Sequence, residues 1–174
     1  MKHWPVLNSY SKKIPIKGKP GSFWEDRGDR RHCGIDIYAP AGSKVISIDD
    51  GTVIGIGIFT TSNKIPYWNK TNYILIKNQD KFIYKYAELE KIIVKINDFV
   101  KGGESIGFVG NVLNLNKINS NSPKYIQEIK KKNISSMLHL EVYSSMPKVT
   151  KEYLAGNWFG SKKPKYLLNT NYYI

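Results

Sequence analysis

Three histidines occur in the 174 residues, His3, His32 and His139. Two of them stand near carboxylates at spacings that could hold a metal. In His32-Cys33-Gly34-Ile35-Asp36 an imidazole and a carboxylate lie four residues apart, with a glycine that allows a tight entry into a strand. In Met137-Leu138-His139-Leu140-Glu141-Val142, strand alternation puts Met137, His139 and Glu141 on one face and the leucines with Val142 on the other. Zinc takes imidazole nitrogens and carboxylate oxygens, and three protein ligands plus a water make a catalytic site rather than a closed structural one. Two histidines and one aspartate would supply that set. Spacing alone does not select this reading, because His-x-x-x-Asp recurs by chance and a strand histidine is commonly a hydrogen-bonded core residue.

Such residues need a β scaffold to hold them, and the chain is patterned as one. Short runs rich in β-branched and aromatic residues predict strands over 35–38, 43–49, 52–58, 72–78, 81–87, 104–109 and 137–143. The runs are separated by turn residues such as Pro40-Ala41-Gly42, Asn78-Gln79-Asp80 and Lys101-Gly102-Gly103. Asp50-Gly51, between two β-branched runs, reads as a hairpin, since glycine tolerates the positive φ of a primed turn. A short helix or turn is expected over 88–93. Residues 1–31 form an irregular lead-in, and residues 112–135 form a polar excursion longer than most connections. Within that excursion 123–132 could be helical, with Tyr125, Ile126 and Ile129 as its apolar stripe. The aromatic tail, 147–174, is expected to pack back on the body. The fold class expected is a mainly β, single-domain antiparallel sheet or sandwich.

Composition agrees with one domain, at 41% hydrophobic and 13% aromatic residues. Twenty-seven cations against 14 acids give a formal charge of +13, and 24 of the 27 are lysines. A basic surface favours anionic partners such as nucleic acid, an acidic membrane face or a wall polymer. The only runs are Arg30-Arg31 and Lys130-Lys131-Lys132, and the clustered basic and aromatic strands of single-strand binders are missing, so no nucleic-acid partner is expected. No stretch approaches the roughly 20 apolar residues of a membrane span. One cysteine, Cys33, excludes an internal disulfide and reads as a small buried side chain. His3 reads as solvent-facing, or else as part of a lead-in that crosses the groove to the metal. The first residues, interrupted by Trp4, Pro5 and Asn8, lack a signal-peptide core, so an export signal would lie outside this chain.

The longer context narrows the choice. HCGIDIYAP followed by AGSKVISIDDGTVIGIG resembles the lysostaphin/LytM-type zinc metallopeptidases, whose pattern is H-x-G-x-D-x-x-x-P-x-G, a hydrophobic strand and a G-x-V hairpin. The segment NYILIKNQDKFIYKYAELEKIIVKINDFVKGGESIGFVGN is similar to that family's next block, and MLHLEVY to its H-L-H-F-E-V strand. The blocks keep the family's order over roughly residues 30 to 144. The resemblance implies a LytM-type fold with a narrow groove, a peptidase domain at 32–146 and zinc held by His32, Asp36 and His139. It implies a zinc metalloendopeptidase that acts on peptides of peptidoglycan cross-links, as a monomer in the periplasm, cell envelope or outside the cell. Two family histidines are replaced, one by Glu88 and one by Met137. In the family they flank the reacting water. Glu88 can serve as a general base, as a glutamate does in helical H-E-x-x-H sites. Met137 neither donates a strong hydrogen bond nor carries charge, and losing one oxyanion donor costs roughly 2.7 to 4 kcal/mol of barrier. Tyr84, Tyr86, Tyr143 or a lysine could stand in, and Asn97 occupies a usual glycine position that needs positive φ. The alternative implied by these losses is a degenerate module that binds the wall or activates a wall amidase.

Overall fold

The structure is a computed structural model and describes residues 2–174. Its strands are β1 (Arg31–His32), β2 (Ile35–Tyr38), β3 (Lys44–Ile46), β4 (Gly51–Thr60), β5 (Thr71–Asn78), β6 (Ile83–Ile92), β7 (Phe99–Val100), β8 (Ser105–Val109), β9 (Met137–Tyr143), β10 (Tyr153–Leu154), β11 (Asn157–Trp158) and β12 (Leu167–Leu168). A helix, α1 (Lys124–Lys131), lies between β8 and β9. Nine strands make one antiparallel sheet along the path β12-β9-β6-β5-β4-β7, with β2 on β9 and β8 between β6 and β3. β1, β11 and β10 make a second sheet of three. Among the described residues no helix is long and apolar enough to cross a membrane.

The long hairpin β5–β6 carries the sheet, and its turn uses Asn78, whose side chain accepts from the Phe82 N–H at 2.9 Å. Behind the sheet the alternate residues Ile35, Ile37, Ile74, Ile76, Tyr84, Tyr86, Leu138, Leu140 and Val142 form the main core. β2 lies close against β9 because Gly34 has no side chain: a Cβ there would run into the Leu140 carbonyl. Asn97 adopts φ 74.

Three sequence expectations differ from the structure. Asp50-Gly51 is not a hairpin, because β3 pairs with β8 while β4 pairs with β5 and β7. Gly51 is needed there for close approach, since a Cβ would lie 2.7 Å from the Lys77 carbonyl oxygen. Residues 88–92 continue β6 rather than turning helical; the disturbance is a single left-handed residue, Glu88 at φ 66, with a register shift toward β8. His3 neither faces solvent freely nor reaches the metal residues. Its ring packs on the Gly102-Gly103 turn.

Two segments are laid on this frame. The excursion carries a satellite core of Val112, Leu113, Ile118, Ile126 and Ile129, closed against Tyr67, Trp68 and Met137. Eight helical residues are too few to be stable alone, so α1 owes its stability to that burial. The tail forms the hairpin β10–β11, whose turn residues Ala155 and Gly156 have φ of 40 and 78, both positive as a type I′ turn requires.

Candidate metal centre

β1 and β2 deliver His32 and Asp36, and β9 delivers His139, because Asp36 pairs directly opposite His139 across the ladder. All three side chains are buried. Three atoms meet at one point: His32 Nε2 lies 3.1 Å from Asp36 Oδ1 and 3.0 Å from His139 Nδ1, and His139 Nδ1 lies 2.9 Å from Asp36 Oδ1.

The outer atoms of each ring determine what the inner atoms present. His32 Nδ1 is 2.9 Å from the Ser22 carbonyl, which only accepts, so Nδ1 carries the hydrogen and Nε2 a lone pair. Burial, then the charge of Arg27, lowers the His32 pKa to about 4, which keeps the ring neutral. His139 Nε2 donates to Glu141 Oε1 at 2.9 Å, which leaves Nδ1 as the inward atom. Burial would lower His139, but the hydrogen bonds to Asp36 and Glu141 prevail and raise it to about 9. Burial likewise opposes ionisation of Asp36, and His32, His139 and Arg27 nonetheless hold its carboxyl well below the usual range. Three electron-pair donors therefore point at one another, an arrangement that needs a cation between them, either a proton or a metal. Tetrahedral zinc with bonds of about 2.0–2.2 Å would space its ligands by about 3.3–3.6 Å, so the three atoms, 2.9–3.1 Å apart, need to spread by only about half an ångström to take the ion. The donor set fits zinc.

The three residues are supported from behind. Glu141, fully buried, accepts from His139, Tyr143 Oη and Tyr153 Oη and lies 3.5 Å from Lys85 Nζ. Burial would raise its pKa; the Lys85 charge and the His139 bond hold it well below the ordinary value. Phe59 stacks on His139 with ring centroids 5.5 Å apart. On the other side Arg27 donates to Asp36 Oδ2 at 3.1 Å, so the oxygen not facing the histidines is also held.

In front of the ligands is a cavity of about 40 Å³ lined by Asp36, His139, Glu88, Met137, Arg27 and Asn157 and roofed by Tyr125, Ile126 and Ile129. It has room for a few water molecules and none for a peptide strand. Glu88 Oε2 is buried there without a hydrogen-bond partner. Burial, and next the charge of Asp36, raises the Glu88 pKa to about 8. Met137 belongs to the satellite core, so the methionine in place of a family histidine anchors the excursion. A second cavity, about 290 Å³, lies between sheet and tail and shares Ala155 with the first.

The structure thus brings His32, Asp36 and His139 together and places Glu88 beside them. Of the stand-ins named for Met137, Tyr84 and Tyr86 lie in the main core, while Tyr143 and Lys85 are engaged with Glu141. The positive group lining the cavity is Arg27 instead. Sequence reasoning missed Arg27, yet a signal was present: the three arginines of the chain, Arg27, Arg30 and Arg31, all fall within six positions of His32. Cys33 is buried among Leu75, Ile83, Tyr143 and Trp158, and burial pushes its thiol pKa up.

Residues 30–146 match Peptidase family M23. An uncharacterized metalloprotease of Buchnera aphidicola subsp. Baizongia pistaciae is 34% identical over 109 residues, which are 62% of this chain and 26% of that protein. The peptidoglycan DD-endopeptidase ShyB of Vibrio cholerae serotype O1 is 35% identical over 79 residues, 45% of this chain and 17% of its own length. The chain therefore spans only a minor part of these relatives. Among solved structures, a mutant of the catalytic domain of the prophage-encoded M23 protein EnpA from Enterococcus faecalis aligns at a TM-score of 0.50 and 19% identity, over 97% of this chain and 90% of that one. That likeness is one of fold.

Proposed function

Because the chain belongs to peptidase family M23, we propose that it is a zinc-dependent metalloendopeptidase that hydrolyses peptide bonds in peptidoglycan cross-links. The observation that carries this reading is the convergence of His32 Nε2, Asp36 Oδ1 and His139 Nδ1, all aimed at one point. These three residues would hold the ion. Zinc, when bound, supplies Lewis acidity, which polarises a scissile carbonyl and acidifies water. The similarity to a peptidoglycan DD-endopeptidase supports a wall peptide as substrate and the cell envelope as the place of action.

Within this reading the chain's own groups divide the work. Glu88, whose unpartnered oxygen is buried in that cavity, would be the group that accepts a proton from the attacking water. Arg27, whose guanidinium lines the same cavity, supplies the positive charge that Met137 cannot offer to a developing oxyanion. The apolar roof of α1 covers the cavity and has to move aside for a peptide to enter.

That roof, with Met137, favours one alternative: a non-hydrolytic module that binds the wall or activates a wall amidase. Incubation of the purified protein with wall sacculi separates the two. Hydrolysis should produce new peptide termini, with about one zinc per chain, and Glu88→Ala should abolish the termini while retaining zinc. A zinc-loaded protein that binds sacculi and releases nothing would leave the alternative standing.

A further inference from the structure

The residues that match the family end at 146, but the environment of the metal ligands does not. We propose that the C-terminal hairpin β10–β11 is a built-in part of the metal centre, with Tyr153 positioning His139 through Glu141 and Asn157 positioning Asp36 through Arg27. This rests on the zinc reading given above and names the segment that makes the site rigid.

Tyr153 Oη has four polar neighbours. Lys85 Nζ at 2.6 Å and the Gly156 N–H at 3.1 Å can only donate to it, so its own hydrogen goes to Glu141, at 2.9 and 3.1 Å from the two carboxylate oxygens. The hydroxyl fixes the carboxylate, and the carboxylate fixes the His139 ring by accepting from Nε2. Asn157 is oriented in the same way. Its Nδ2 donates to the Leu154 and Ala155 carbonyls at 3.3 and 3.0 Å, which turns Oδ1 toward Arg27 Nη1 at 3.2 Å. Arg27 Nη2 in turn donates to Asp36 Oδ2. Between these two chains of contact lies the turn itself. Gly156 presses on the imidazole so closely that a Cβ would stand 2.6 Å from His139 Nε2, and its carbonyl accepts from the Cys33 N–H next to His32. Ala155 holds φ 40 to complete the turn, a conformation disfavoured for any residue with a side chain. The hairpin thus touches the surroundings of all three ligands, and outer partners of this kind commonly carry 10–100-fold in metal affinity.

The test uses the full chain, with zinc affinity measured by competition against a chromophoric chelator and ligand geometry read from the visible spectrum of the cobalt-substituted protein. Tyr153→Phe and Asn157→Ala should each weaken zinc roughly 10–100-fold and shift the cobalt bands. Tyr172→Phe, at an exposed tail residue, should do neither. Thermal unfolding of the metal-free variants separates positioning from folding. Affinity and spectrum equal to wild type in both hairpin variants would overturn the inference while leaving the zinc reading intact. Losses that only track the fraction unfolded would overturn it too. A wild-type chain that takes no zinc, and so behaves like His139→Ala, would remove both.

Discussion

The tail and the excursion close on His32, Asp36 and His139 from two sides with different chemistry. On the tail side the groups nearest these residues are polar and paired. Glu141, Tyr153, Asn157 and Arg27 each have their donors and acceptors matched by named partners. The excursion side is apolar, built of Ile126, Ile129, Val112 and Leu113 on Met137, and it leaves Glu88 Oε2 without a partner. Hydrogen bonds are directional and fix atoms to within tenths of an ångström, whereas apolar contact is non-directional and can be separated and re-formed. One side is suited to fixing where His32, Asp36 and His139 stand. The other covers the cavity with contacts that can separate and re-form.

The largest expected effect lies on the tail side. Glu141→Gln removes a fully buried negative charge and leaves the Lys85 ammonium, itself 6% exposed, without its partner. Breaking one half of a buried pair costs about 3–5 kcal/mol, and urea unfolding of the metal-free protein should show that loss. A change below about 1 kcal/mol would mean that water already screens the pair and that the tail side is not the rigid one.

On the excursion side the same kind of lesion should do less harm and change function in the opposite direction. Ile126→Ala together with Ile129→Ala shortens two side chains of the satellite core. Buried Ile→Ala changes cost about 2–5 kcal/mol in a main core, but a separate cluster relaxes locally, so global unfolding should move by no more than the lower end of that range. Peptide hydrolysis by the zinc-loaded protein should rise severalfold, because the roof opens more often. A fall in rate with zinc affinity unchanged would make the roof part of the substrate site rather than a barrier.

How far the sequence revealed these two sides follows from the kind of interaction each uses. His32, Asp36 and His139 were legible because histidine is scarce and because the blocks of an ordered family surround them. The strands 35–38 and 137–143 were legible from alternation, and the stripe of Tyr125, Ile126 and Ile129 pointed to α1. The hairpin β10–β11 was not, because two-residue strands carry no period and Ala155-Gly156 lacks the Asn-Gly signature of its turn type. Asn157 reaches Arg27, 130 positions earlier in the chain, and Tyr153 reaches Glu141 from a separate hairpin, and no local pattern reports either partner. The false hairpin at Asp50-Gly51 has a related origin: the dipeptide signals a change of direction, but strand pairing is decided by β8 and β5 from elsewhere in the chain.

A smaller effect tests how dry the excursion side is. The Glu88 carboxyl, raised by burial and by Asp36, titrates at about 8 in the folded protein against an ordinary 4.5. Between those values the folded chain keeps a proton that the unfolded chain has released. The stability Glu88 contributes is therefore complete below about pH 4.5 and is lost as pH rises through about 8. Glu88→Gln is neutral throughout, so the metal-free variant should lose less thermal stability than wild type between about pH 5 and pH 9. Equal losses would mean that the carboxyl is solvated and the roof stands open.

The smallest expected effect lies where the two sides meet. Arg27 donates to Asp36 and Asn157 on the tail side, and its guanidinium carbon sits 4.5 Å from the centre of the Tyr125 ring on α1. A cation–π contact of this kind contributes about 0.5–2 kcal/mol and fixes a distance more than a direction. If positioning belongs to the tail side, Tyr125→Leu should leave zinc affinity within about threefold of wild type, less than 1 kcal/mol, while loosening α1 enough to raise hydrolysis. Asn157→Ala should do the reverse, weakening zinc and leaving the roof in place. Equal losses of zinc affinity in the two variants would show that α1 holds Arg27, and through it Asp36, as firmly as the hairpin does. The excursion would then be part of the ligand framework, and opening the site to a substrate would carry a cost in bound metal.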